Sequence, residues 1–307
     1  MLVCAPSSTL SIGAQTSMIE VLAPGLLTTV QDLGRPGYGP IGVSAAGAAD
    51  PTSLRIANRL LGNPEGAPAL EMTLQGAHLR FHQRTVIALG GSDFGVPLWR
   101  PLQLEPGTEL RLGRTTSGAR CYLAVQGGLN VPRVLGSAST HLLSGLGGGP
   151  LRRGDRVPIP PPNSRFEPKP VAIPAPRTTF RVTEAPQSAQ FCTEALVTFY
   201  HSTYTVTPDT NRMGIRLQGP MIPTPSAELT TEGVALGAIQ VPSGGQPVIL
   251  FVDHQTTGGY AKIANVIAAD LPALGQLKPG DMIRFQKVDL REARELLYIQ
   301  ERWLRSI

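Results

Sequence analysis

Cysteine is scarce in this chain of 307 residues: only Cys4, Cys121 and Cys192 occur. Their number is odd and their spacing forms no Cys-x-x-Cys. A disulfide framework and a cysteine metal site are therefore not expected, and the pattern suits structural thiols in a reducing, cytoplasmic setting. The histidines His78, His82, His141, His201 and His254 show no ligand spacing, so no metal site is expected either. No apolar run is long enough for a membrane-spanning helix, and no membrane partner is expected. Aromatic residues make up 5% of the chain. They do not interleave with basic residues, which argues against nucleic acid despite a net charge of +5. No G-x-x-x-x-G-K-[ST] loop or G-x-S-x-G elbow exists; the glycine-rich stretch Ser144 to Gly149 lacks the lysine of a phosphate loop.

Lysine is the rarer cation. Of 27 basic residues only Lys169, Lys262, Lys278 and Lys287 are lysines. Arginine does the routine surface work here, so a lysine inside a polar segment draws notice: its compact charge and labile pKa suit chemistry.

Glycine and proline, by contrast, are plentiful, at 34 and 29 residues. Spread along the chain, they favour short strands joined by tight turns. A chain of this size also favours two domains. Residues 1–17 lack a basic start and a sustained apolar core, and are expected to be a disordered leader, with Met18 as the possible true start. Strands are expected from Ile19 to Leu22 and Leu26 to Val30, then at 69–74, 77–81, 85–90, 108–113 and 120–126. Asp50 followed by Pro51 predicts a helix start, with Leu54, Ala57, Leu60 and Leu61 along one face. Residues 161–178 are proline-rich and predict a linker. Beyond it, strands are expected at 179–184, 195–199, 204–207, 214–218 and 248–252, and a short helix over 263–268. Asp289 with Glu292 predicts the cap of a terminal helix. A glycine turn before an alternating strand recurs at Leu104 to Leu112, Arg153 to Ile159 and Leu277 to Phe285.

The most informative stretch is Asp253-His254-Gln255-Thr256-Thr257-Gly258-Gly259-Tyr260-Ala261-Lys262. It follows an apolar strand-like run and concentrates acid–base, amide, hydroxyl and ammonium groups beside paired glycines. That is how a rigid scaffold presents a site. The bland alternative is a turn capped by Asp253. Asp32 and Arg35 flank Gly34 after a strand, either as a substrate clamp or as an internal pair fixing the loop. Glu71 interrupts an apolar strand and needs a partner if buried. Arg212 and Glu232 are further candidates for positioning a substrate.

Taken in order, several of these segments resemble one family: the carboxyltransferase-domain proteins (subdomains A and B) known as KipA, the 5-oxoprolinase C subunit or the second allophanate hydrolase subunit. The carriers include Thr28-Thr29-Val30-Gln31-Asp32, Gly47-Ala48-Ala49-Asp50, Ala69-Leu70-Glu71, Tyr122-Leu123-Ala124-Val125, Asn211-Arg212-Met213-Gly214 and Gln255-Thr256-Thr257-Gly258-Gly259-Tyr260. The resemblance implies a mostly β fold of tandem cyclophilin-like β-barrel domains with a few short helices, spanning 18–160 and 179–307. It implies the C subunit of an ATP-dependent 5-oxoprolinase that opens the lactam of 5-oxoproline to glutamate. ATP would be shared with a KipI-like B subunit and an A subunit of the same enzyme. The alternatives are a carboxyltransferase of a urea carboxylase or allophanate-type system, with biotin on a separate carrier, and a KipA-type regulator that binds a KipI-like kinase inhibitor. Under the first reading Asp32 or Glu71 would hold the substrate N–H, and Lys262 and Arg35 would stabilise negative oxygen. Arg212, Gln255, Thr256 and Tyr260 would orient the substrate, with Gly258 and Gly259 allowing close approach.

Overall fold

The structure is a computed structural model that describes residues 17–161, 176–225 and 229–306. The leader expected over 1–17 (all but its last residue) and most of the linker expected over 161–178 lie outside the described residues.

The first half contributes β1 (Met18–Ala23), β2 (Leu27–Gln31), α1 (Pro51–Arg59), β3 (Ala69–Thr73), β4 (His78–Phe81), β5 (Thr85–Gly91), β6 (Pro101–Leu104), β7 (Glu109–Arg111), β8 (Arg120–Val125) and β9 (Arg156–Pro158). They form a five-stranded sheet in the order β2-β3-β8-β5-β6 and a four-stranded sheet in the order β7-β4-β1-β9. Strand alternation explains how the large sheet is buried. Leu70, Met72, Cys121, Leu123 and Val125 point into the core shared with Ile19, Val21, Leu79 and Phe81 of the small sheet. The intervening Ala69, Tyr122 and Ala124 point to the other face, where Leu54, Ile56 and Ala57 of α1 cover them. Every residue of β8 is therefore buried, as expected of a strand covered on both faces. Asp50 caps α1 by accepting from the backbone N–H of Ser53 at 3.0 Å, and Pro51 takes the first helical position.

The second half contributes β10 (Thr179–Glu184), α2 (Thr193–His201), β11 (Tyr204–Val206), β12 (Gly214–Gln218), β13 (Glu232–Gly233), β14 (Ala238–Gln240), β15 (Val248–Leu250), β16 (Thr257–Gly258), β17 (Lys262–Val266), α3 (Leu271–Leu274), β18 (Met282–Lys287) and α4 (Leu290–Ser306). Seven of these strands close a barrel in the order β10-β17-β14-β15-β12-β11-β18, and β13 pairs with β16 as a separate two-stranded ribbon. The barrel core is aliphatic with an aromatic plug, in which the rings of Phe199 and Phe285 stack at 4.6 Å. The mostly β expectation holds.

Two expected elements are corrected. Residues 195–199 are helical within α2: Ala195 and Phe199 are buried one turn apart while Val197 is 52% exposed. Residues 263–268, expected as a helix, begin in β17, which pairs with both β10 and β14. Short apolar runs carry too little periodicity to separate the two states, and the pairing partners decide. The recurring glycine turn is architectural. The N–H groups of Gly107, Gly154 and Gly280 donate to Phe81, Val21 and Val206 carbonyls at 2.7, 2.8 and 2.9 Å.

Candidate functional site

Two strands and one loop of the first half meet the second half at a buried charge network. Glu71 on β3 and Tyr122 on β8 are paired across the ladder, so their side chains share a face. The Tyr122 hydroxyl donates to Glu71 Oε2 at 2.7 Å and accepts from the Asp50 backbone N–H at 2.7 Å. The Ala49 N–H donates to the same Glu71 oxygen at 2.8 Å. Glu71 Oε1 accepts from Arg212 Nη1 at 2.6 Å, across the boundary between the halves. Arg212 then forks onto Asp253 at 2.9 and 3.0 Å and donates to the Gly47 carbonyl at 2.6 Å. All members are almost fully buried.

This network resolves a conflict between burial and charge. Burial pushes the Glu71 carboxyl up, but Arg212, Arg120, the Ala49 N–H and Tyr122 hold it below its ordinary value. Burial pushes the Tyr122 phenol well up, and Glu71 and Asp50 add to this, so it stays a neutral donor. Arg120 lies 5.4 Å from the Phe251 ring centroid and donates to the Gly275 carbonyl at 2.5 Å. Gln276 bridges Asp50 and Arg120 from the second half, at 2.7 Å to the carboxylate.

A second cluster lies beside it. Asp32 accepts from five donors: Gly34 N–H, Ser137 and Ser139 hydroxyls, Ala138 N–H and Arg133. A carboxylate offers about four lone-pair sites, so Asp32 fastens the loop over 33–47 to the segment 136–139. Arg35 is 1% exposed, donates to the Val134 and Ser139 carbonyls, and has an Nη1 with no hydrogen-bond partner among the described residues. His141 Nε2 reaches the Asp253 carbonyl at 3.5 Å, which ties this cluster to the first.

The segment opened by Asp253 leaves the buried network and ends at solvent. Gln255, Thr257, Gly259 and Tyr260 are exposed. Thr257 and Gly258 form β16 and pair with β13. Beneath this ribbon Lys262, 5% exposed, grips Glu232. Gln187 Nε2 donates to the same Glu232 oxygen. Lys262 and Gln187 hold the Glu232 carboxyl below its ordinary value. Gly258 lets the ribbon lie close on Gln240: a Cβ there would lie 2.7 Å from Gln240 Nε2, which would have to move. Gln240 is 2% exposed and its Nε2 has no hydrogen-bond partner among the described residues.

Residues 41–287 match the family model described as carboxyltransferase domain, subdomain A and B. The chain belongs to this carboxyltransferase-domain family. It is 38% identical over 303 residues to the 5-oxoprolinase C subunit of Escherichia coli (strain K12), covering 94% of this chain and 97% of that one. It is 36% identical to urea amidolyase of Lachancea kluyveri, covering 92% of this chain and 17% of that protein. The crystal structure of Kluyveromyces lactis urea carboxylase superposes with a TM-score of 0.90 at 34% identity, over 96% of this chain and 29% of that one.

In this carboxyltransferase-domain chain the candidate residues fall into distinct places. Glu71 and Arg212 meet directly. Asp32 and Arg35 sit in the neighbouring loop cluster, Gln255, Thr256, Gly258, Gly259 and Tyr260 lie along the solvent-facing ribbon, and Lys262 is buried beneath it. No direct contact joins Asp32 to Lys262. Asp32 accepts from five donors and Glu71 from three, so both carboxylates are engaged with internal partners. Arg120, Tyr122 and Gln240 were not foreseen as site residues, and Asp253 was singled out only as the opening of the polar segment. Arg120 and Tyr122 read as ordinary strand positions, and the only signal available was a charge inside a strand too apolar to face water. A separate cavity of about 190 Å³ lies between the halves, lined by Ala48, Thr52, Phe251 and Leu271 among others. None of the candidate residues lines it.

Proposed function

We propose that this chain is the C subunit of an ATP-dependent 5-oxoprolinase. It acts in the cytoplasm with an A subunit and a KipI-like B subunit to open the lactam of 5-oxoproline to glutamate. The observation that carries this reading is the end-to-end match with the E. coli C subunit, 97% of whose length is covered. In the urea enzymes the same region is a small part of a much longer chain.

Within that complex the substrate-facing group is Lys262, with Gln255, Thr256 and Tyr260 shaping the open side and Gly258 and Gly259 allowing close backbone approach. Lys262 is the group of the ribbon able to stabilise negative charge on a carbonyl oxygen. The buried Glu71–Arg212–Asp253 network fixes the root of the segment, and Asp32 and Arg35 fix the loops packed on it; these are positioning roles. The surroundings of Lys262 do not fit a triphosphate: one ammonium, already paired with Glu232, cannot balance that charge. ATP is therefore assigned to the partner subunits, and no step here passes through it.

Copurification with the neighbouring gene products tests the reading. The assembled complex is expected to form glutamate from 5-oxoproline only with ATP, and Lys262→Met is expected to lower kcat by about a hundredfold. Turnover undiminished by Lys262→Met would remove the site assignment. The second reading, a carboxyltransferase acting with a biotin carrier, is favoured by the superposition on urea carboxylase. Urea-dependent carboxylation in place of 5-oxoproline turnover would establish it.

A further inference from the structure

We propose that Gln187 and Gln240 read an amide: together with Lys262 they take a small ligand whose carbonyl and N–H lie on one edge, as in a lactam or a urea. This rests on the assignment of Lys262 to the substrate site and specifies what that site recognises.

Gln240 is paired with Lys262 across β14 and β17, so the two side chains leave the sheet on one face. Their neighbours Ile239, Val241 and Ile263 belong to the barrel core, which turns Gln240 and Lys262 outwards beneath the β13–β16 ribbon. The 2.7 Å approach of Gln240 Nε2 to the Cβ position of Gly258 aims its amide at that ribbon. The donor is buried and has no partner among the described residues. Gln187 supplies the complement. Its Nε2 is spent on Glu232, the carboxylate that also receives Lys262, while its Oε1 is buried without a partner among the described residues.

One orphan donor and one orphan acceptor thus flank a single ion pair. Buried polar atoms are nearly always satisfied, and an exception calls for an occupant. A carboxylate ligand would satisfy Gln240 but set its lone pairs against those of Gln187 Oε1 and Glu232. A secondary amide with its oxygen and N–H on the same side satisfies both: its carbonyl accepts from Gln240 and Lys262, and its N–H donates to Gln187. A five-membered lactam holds that arrangement by ring closure, and urea presents it on either side.

The test uses the assembled complex, with 5-oxoproline and urea as separate substrates, and with the unsubstituted lactam pyrrolidone and its N-methyl derivative as competitors. Pyrrolidone is expected to compete, and the N-methyl compound to compete at least tenfold more weakly. Gln187→Met is expected to abolish that discrimination, and Gln240→Met to lower kcat/KM about tenfold without lowering the melting temperature. Gln240→Glu keeps the shape, exchanges donor for acceptor, and is expected to do the same if the methionine variant folds poorly. Equal competition by both lactams, or kcat/KM within twofold of wild type in both glutamine variants, overturns the proposal. If only urea is turned over, the 5-oxoprolinase reading fails, while the same variants still decide the amide pair through urea turnover.

Discussion

Arg212 is the residue on which the meeting of the two halves turns. It pairs with Glu71 and Asp253 together, with all three groups removed from water. Removing one member of such a buried set leaves charge uncompensated, at a cost of about 3–5 kcal/mol. Arg212→Met is expected to lower stability to urea by that amount, whereas Arg133→Met, at the exposed end of the Asp32 cluster, is expected to cost under about 1 kcal/mol. The acid limb of stability has a defined sign. Glu71 is held below its ordinary value of 4.5, so its contribution is present above pH 4.5 and is lost as pH falls through the folded value. Asp50, raised by burial, acts in the opposite direction. Glu71→Gln is therefore expected to flatten the acid limb, as read by denaturant midpoints across pH. That Glu71 needs a partner is legible from a carboxylate inside Ala69-Leu70-Glu71-Met72. Which partner is not legible, because Arg212 lies 141 positions away and only the closed fold brings them together.

Among the elements, α3 is seated tightly on the first half. Gly275, just past α3, has an ordinary helical backbone, yet a Cβ there would lie 2.3 Å from the Ala49 carbonyl oxygen and 2.8 Å from the Asp50 nitrogen. The second half thus packs directly on the backbone that opens α1. Gly275→Ala forces these elements apart, and a loss of about 1–3 kcal/mol is expected by chemical denaturation. Gly275→Ala is also expected to reduce activity, because the same movement strains Arg120 and Gln276. Gly258→Ala acts on the ribbon and on the Gln240 side chain beneath it; normal stability with impaired turnover is the expected outcome, checked by calorimetry and initial rates. Elements with strong local signals were legible: the Asp50–Pro51 start of α1, the Asp289 cap of α4 at 2.7 Å to Glu292 N–H, and strands such as β10 and β12. The states of 195–199 and 263–268 were not, since tertiary pairing overrides weak propensity in short apolar runs.

For the whole molecule, polar bonds between the halves are numerous: Arg212 to Glu71 and Arg120 to Gly275 are buried, and Gln276 to Asp50 and Ser92, and Ser44 to Val252, are half-buried. Such coupling predicts one cooperative unfolding transition for both halves, and two in Arg212→Met, resolved by calorimetry. Segments 33–47, 136–147 and 252–262 converge, but the convergence is a buried charge network, and Lys262 sits at its far end beneath the exposed ribbon. The most direct measurement is a crystal structure of the assembled complex with 5-oxoproline and no ATP. The lactam oxygen is predicted to lie about 3 Å from Lys262 Nζ, with its N–H turned to Gln187. Ligand bound instead in the apolar cavity between the halves, or on a partner protein with the Lys262–Glu232 pair intact, would contradict the assignment.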